Sequence, residues 1–229
     1  MSVVIISCGQ AGATPAGPSP TGATDTAIAS DAAPSAAPVP GASTGAASTE
    51  PSGPPGSPAD PALGALPTRI VIDGLGIDLP IVSGDLIVAG NPPDYPLCDV
   101  AQFLTTYRYP GRPGTTTWVY AHARDGMFLP LLKASEIAGG KKLIGLMAAL
   151  YTDAGDRYTY RITEVMRHAT DRSAAADVPG DEGRLVLQTS EGPKGTVPKL
   201  QVVATLVKVA RADLKASVPS AKPRGCFIP

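Results

Sequence analysis

The sequence predicts an all-β domain with short helices, closed as a barrel or packed as a sandwich, behind a long disordered spacer. Three observations predict it. Short runs of alternating apolar and polar residues recur through residues 67–211, as in "TRIVIDGLGIDLPIV" and "KLQVVATLVKVAR"; alternation is the mark of a half-buried strand. Gly- and Pro-rich punctuation such as "NPPD", "RYPGRPG" and "DAGD" separates the runs, which favours many short strands over few long helices. Residues 9–66 are almost entirely Ala, Pro, Gly, Ser and Thr. Ala buries too little surface to offset the entropy of ordering a backbone, and the prolines break the helices that Ala favours.

The 229 residues therefore divide into a short N-terminal signal remnant (1–8), the spacer (9–66), one domain (67–211) and a tail (212–229) that is expected to fray. A domain of that size can bury a proper core. The formal net charge is −1 and no basic run occurs, which argues against a nucleic-acid partner. No stretch is long and apolar enough to span a membrane.

Within the domain, "TRIVIDGLGIDLPIV" reads as a hairpin about a Gly turn. "CDVAQFL" reads as one or two helical turns, and "TTTWVYAHA" as a strand ending at His122, with Trp118 in the core. "GMFLPLLKASEI" is a short helix if Pro130 sits in its first turn, where a missing N–H costs nothing. "GGKKLIGLMAALYT" and "RYTYRITEVMRHA" are two strands joined by "DAGD"; "DRSAAADV" is a short helix with Asp171 as N-cap. "RLVLQTS" and "KLQVVATLVKVAR" complete the strands.

The N-terminus, "MSVVIISCGQ", places Ser7 before Cys8 as in a lipoprotein signal. It lacks a positive n-region, and its apolar run is shorter than the 7 to 15 residues of such signals. Either the signal begins upstream of this start, or Cys8 is a chance cysteine. The spacer favours the first reading, in which lipid on Cys8 tethers the protein. Cys98 and Cys226 give no disulfide framework, although one bridge between them is open. A buried apolar Cys98 is the plainer expectation, and Cys226 reads as incidental.

The order strand–His122, strand–Ser190 and Lys199–strand, with "LVLQTS" before the reactive position, resembles the sortase family of bacterial cell-surface transpeptidases. The opening "PTRIVIDGLGIDLPIV" is similar to the family's first two strands, and the resemblance covers nearly all of 67–211. It implies an eight-stranded β-barrel. In that family a Gly-His at a strand end, a Thr-Cys strand end and an Arg opening the next strand make the site. Here His122 matches the His, Ser190 falls at the Cys position and Lys199 near the Arg; Thr189 fits, and Ala121 replaces the Gly.

These differences change the chemistry. A Cys thiol ionises near pH 8.5, whereas a Ser hydroxyl reacts only if a base removes its proton during attack. His122 is the candidate base and acid, with Asp125, Arg124, Asp99 or Glu191 as candidate supporting groups. Lys199 is expected to be a cation for an oxyanion or for orienting substrate, without the fork of a guanidinium. Cys98 is an alternative nucleophile. His168 reads as a surface or hydrogen-bonded His. No cofactor or metal is expected.

With lipid on Cys8 the protein is expected to be extracellular, anchored to the bacterial cell membrane as a lipoprotein, and monomeric. It would act on a peptide with a C-terminal sorting signal and pass the acyl group to an amine acceptor in the cell envelope, or to water. The alternative is an inactive sortase fold that binds a peptide or cell-wall component.

Overall fold

The computed structural model describes residues 64–93, 95–111, 114–175, 183–192 and 198–227. Cys8, nearly all of the spacer and positions 193–197 of the loop after Ser190 lie outside the described residues. The alternating runs form eight strands: β1 (Pro67–Ile72), β2 (Ile77–Ser83), β3 (Ala101–Phe103), β4 (Thr116–Tyr120), β5 (Met147–Thr152), β6 (Asp156–Ala169), β7 (Arg184–Ser190) and β8 (Lys199–Arg211). They close into a barrel in the order β1-β2-β3-β4-β7-β8-β6-β5. The β2–β3 and β4–β7 ladders are parallel and the others antiparallel.

Alternation divides each strand between two apolar clusters. Ile70, Leu79, Val119, Leu150, Leu187 and Val202 fill the interior. Trp118, Val186 and Val203 form a second cluster with Ala174, Tyr107 and Met166. Positions 118, 186 and 203 are of opposite parity to 119, 187 and 202, so this second cluster lies on the outer face of the sheet. Trp118 is fully buried there, stacked on Tyr107 with ring centroids 5.0 Å apart.

The first hairpin forms as expected, with Asp78 facing Val71 across it. Helix α1 (Leu129–Glu136) carries Pro130 in its first turn and buries Leu131 against the core. Asp171 accepts a bond from Ser173 N at 2.9 Å ahead of a 3-10 turn, Ser173–Ala175; the rest of the expected helix, 176–178, lies outside the described residues.

Other expectations are corrected. "CDVAQFL" is not helical: Ala101–Phe103 is β3, because parallel pairing to Ile81–Ser83 and burial of Ala101 and Phe103 outweigh local helix propensity. Gly84 lets this pairing close, since a Cβ there would lie 2.7 Å from Phe103 O. "GGKKLIGLMAALYT" is a strand only from Met147; its earlier part turns through Gly139, Gly140 and Gly145, all with positive φ.

The tail after Arg211 does not fray. Asp213 caps helix α2 (Leu214–Ser217) by accepting from Ala216 N at 3.0 Å, and Thr68 Oγ1 donates to Ser217 O at 2.8 Å. Further on, Cys226 forms a disulfide with Cys98, Cα–Cα 5.1 Å, so Cys226 is not incidental. Such fasteners are single long-range contacts, to which hydrophobic periodicity is blind.

Leu150 is fully buried in the interior. Leu150→Ala is therefore expected to cost about 2–5 kcal/mol through lost transfer energy and a residual cavity, read as a lower urea midpoint at unchanged slope.

Candidate active site

The site is a matter of register. In the parallel β4–β7 ladder Tyr120 faces Gln188. Ala121 N donates to Gln188 O at 3.1 Å and Thr189 Oγ1 donates to Ala121 O at 2.8 Å, which carries the alignment one step past the strand end. His122 and Ser190 thus stand side by side. In the antiparallel β7–β8 ladder Ser190 faces Lys199. Three of the sequence-derived candidates therefore form one row across three adjacent strand ends, on the parity that faces outward.

Lys199 Nζ lies 2.8 Å from Ser190 Oγ, a direct hydrogen bond. Half-burial holds the Lys199 ammonium below its ordinary value near 10.5, because burial disfavours the charged form. His122 takes its polar contact on the other side: Nε2 is 2.7 Å from Pro96 O. A carbonyl can only accept, so Nε2 carries the proton and Nδ1 is the basic nitrogen of the neutral ring. Burial, opposed by the Pro96 carbonyl and aided by the charges of Arg124 and Lys199, keeps the imidazole below its ordinary 6.5. The Tyr95 ring packs against it at 5.1 Å, and Phe128 N donates to His122 O at 3.0 Å, tying His122 to the start of α1.

None of the acids expected to support His122 does so in the described hydrogen bonds. Glu191 is nearly buried and turns away from the row, bonding Arg167 Nε at 2.9 Å, His168 Nδ1 at 2.7 Å and His168 N at 2.9 Å. His168, exposed on the barrel rim, serves that clamp. Asp99 pairs with Arg224. Arg124 Nη1 contacts both sulfurs of the disulfide, at 3.0 Å from Cys98 Sγ and 2.9 Å from Cys226 Sγ, and Asp125 lines a cleft of about 340 Å³ beside it. The Pro96 carbonyl holds the place expected of an acid. Cys98, the alternative nucleophile, is corrected: its sulfur is bonded to Cys226, so no Cys98 thiolate exists.

Beneath the row lies a second one that sequence reading missed. Gln102 faces Tyr120, Tyr120 faces Gln188 and Gln188 faces Gln201 across β3, β4, β7 and β8. Gln102 Oε1 accepts from Leu97 N at 2.7 Å. Gln201 Nε2 donates to Asp171 O at 2.6 Å and to Gln188 Oε1 at 3.3 Å. Gln102 and Tyr120 line a cleft of about 230 Å³ with Tyr95, Leu86 and Ile87. The even spacing of 118, 120 and 122 with 186, 188 and 190 held the signal for these outward positions. Pro96 left no such signal, because its contribution is a backbone carbonyl. Among the described residues, no three His, Cys, Asp or Glu side chains converge to hold a metal ion.

No protein-family model and no curated protein matches the sequence. Solved structures do. Listeria monocytogenes sortase A superposes with a TM-score of 0.50 at 21% identity, over 69% of this chain and 100% of that one. Streptococcus pneumoniae sortase C gives 0.49 at 16%, over 64% of this chain and 70% of that one. Streptococcus agalactiae sortase C1 gives 0.47 at 14%, over 62% and 67%. The closed eight-stranded barrel of this protein, with His122, Ser190 and Lys199 at neighbouring strand ends, is the sortase fold.

Proposed function

We propose that the protein is an acyl-transfer enzyme on peptides, with Ser190 as nucleophile and Lys199 as the base that activates it. The observation that carries this reading is the 2.8 Å contact between Lys199 Nζ and Ser190 Oγ. It favours Lys199 over His122 as the group that takes the Ser190 proton, since Lys199 Nζ is in direct contact with Ser190 Oγ whereas the described hydrogen bond of His122 goes to Pro96 O. It also gives Lys199 a different role from the oxyanion cation expected of the family's Arg. Ser–Lys pairs are an established variant of the Ser–His solution to the same problem.

The steps balance within the row. As Ser190 Oγ bonds to the peptide carbonyl carbon, its proton passes to neutral Lys199 Nζ. The ammonium then returns that proton to the departing amine as the C–N bond breaks. In the second half, an amine or water attacks the ester and gives up a proton to His122 Nδ1. That proton ends on Ser190 Oγ as the ester C–O bond breaks. Half-burial serves both groups, because a base acts only when neutral.

We take the substrate to be a sorting-signal-like peptide and the acceptor a cell-envelope amine, by analogy of fold. Anchoring through lipid on Cys8 at the cell surface completes the reading. A binding protein without turnover is the second reading, favoured by Ser190 and Lys199 standing where the family has Cys and Arg.

Incubation with a peptide library and an amine acceptor, followed by mass spectrometry, is expected to show an acyl adduct on Ser190 that Ser190→Ala abolishes. Peptide binding with no adduct would favour the second reading. Lys199→Arg separates the two roles of Lys199. A guanidinium keeps the positive charge but cannot act as a base, so kcat/KM is expected to fall by roughly 10²–10⁴-fold, the range for a general base. Retained activity in Lys199→Arg would return Lys199 to the role of a cation.

The pH dependence follows from the direction of the shifts. Burial disfavours both charged forms, so each group deprotonates earlier than in water. The rise of kcat/KM is expected to have its midpoint below 10.5. Deacylation of the trapped acyl-enzyme should rise through a midpoint below 6.5 and be flat above it.

A further inference from the structure

His122 owes its tautomer to one carbonyl, and that carbonyl sits in a connection poorly equipped to hold it. Residues 84–100 join β2 to β3 without a helix or strand of their own; a long connection of that kind has little to fix its backbone. From within the barrel, Gln102 Oε1 holds the Pro96–Leu97 peptide through Leu97 N at 2.7 Å; the further fastening on both sides of it comes from the other end of the chain. Cys98 N donates to Arg224 O at 3.0 Å in an isolated antiparallel bridge, and Cys98 is bonded to Cys226. The Arg224 guanidinium pairs with the Asp99 carboxylate.

The other side of Pro96 is held as well. Asn91 Oδ1 accepts from Cys226 N at 2.9 Å and Phe227 N at 3.2 Å, while its Nδ2 donates to Tyr95 O at 2.7 Å. Phe227 then packs edge-on against Tyr95 at 5.4 Å, and Tyr95 packs on His122. Pro96 is thus bracketed by Tyr95 and Cys98, and both are pinned by residues 224–227. Arg124, two residues past His122, meets the disulfide from the opposite side.

We propose that the 224–227 strap, locked by the Cys98–Cys226 disulfide, is the positioning element for His122. It holds the Pro96 carbonyl against Nε2, confines the imidazole to one tautomer and leaves Nδ1 as the nitrogen that can accept a proton. The strap does not touch the reacting atoms; it acts through Pro96 and Tyr95. The mechanistic meaning rests on the reading of His122 as a base, but the tautomer itself can be observed without turnover.

The charged and titratable groups that face the ring are Arg124 on its own segment, Lys199 from β8 and Tyr95 from the strapped connection. The first two are not carried by the strap, so cutting it leaves their charge in place and alters burial and the Pro96 contact.

The test uses the full chain labelled with 15N-histidine, read by two-bond proton–nitrogen correlation, with His168→Gln to assign the His122 signals. The disulfide-bonded protein is expected to show the Nε2–H pattern above the ring's titration. A water-soluble phosphine then breaks the S–S bond: it takes oxygen from one water and becomes the phosphine oxide, and the two hydrogens end on Cys98 and Cys226 Sγ. The Nε2–H preference is expected to fall by roughly tenfold, the weight of one net hydrogen bond. Loss of the Pro96 bond moves the titration midpoint down and loss of burial moves it up, so the tautomer is the deciding readout and the midpoint is read only for a change.

Phe227→Ala, which keeps the disulfide, is expected to lower the Nε2–H preference in the same direction and less far. An unchanged tautomer in reduced protein that remains folded by circular dichroism overturns the proposal. If reduction unfolds the chain, Phe227→Ala and Arg224→Gln in oxidised protein decide in its place, and an unchanged tautomer in both overturns it. Absence of any acyl adduct would defeat the enzymatic reading alone.

Discussion

The parallel pairing of β4 with β7 is the constraint on which the rest of the molecule depends. It joins segments far apart in sequence: the Thr189 Oγ1 to Ala121 O bond alone spans 68 positions. A shift of one residue in this ladder would turn every β7 side chain to the opposite face. Leu185 and Leu187 would leave the interior, and Ser190 would leave the row it shares with His122 and Lys199. Core and candidate site are therefore fixed by the same register, and the apolar energy that holds the barrel shut also sets His122, Ser190 and Lys199 in line.

That coupling explains how much of the protein was legible in its sequence. Strands β1, β2, β4, β6, β7 and β8 carry their alternation openly, and the order of His122, Ser190 and Lys199 along them pointed to residues that the fold brings into one row. β3 was misread because three residues are too few to show a period, and its strand character comes from neighbours that sequence does not display. The tail looked idle because its role rests on Cys226, Arg224 and Phe227, each meeting one distant partner. The Pro96 carbonyl was invisible in principle, since every residue offers a carbonyl and only the fold decides which one meets an imidazole.

Among the described hydrogen bonds, those of His122, Ser190 and Lys199 include no carboxylate. Glu191 follows Ser190 directly in sequence, yet its side chain is spent on Arg167 and His168 at the end of β6. The two basic groups left on either side of Ser190 each lose solvent, and the Lys199 charge makes the charged form of His122 less favourable still. Such an arrangement stores proton-accepting capacity that exposed groups would have surrendered to water. The amide-bearing row beneath it, with Gln201 fully buried, supplies polarity with no charge that could compete for those protons.

A closed barrel has no free edge, but its staves are not equally joined. β3 meets β2 through Ala101–Phe103 and meets β4 through Gln102 and Phe103, with one further bond from Leu104 N to Trp118 O, whereas β6 and β8 pair along most of their length. Local opening follows the thinnest hydrogen bonding, so β3 is the seam at which amide hydrogens exchange first. The covalent bond between Cys98 and Cys226 enters the chain three residues before that seam. It ties the barrel where its ladder is thinnest, and so determines how far a transient opening at β3 can spread toward the strand ends that carry His122 and Ser190.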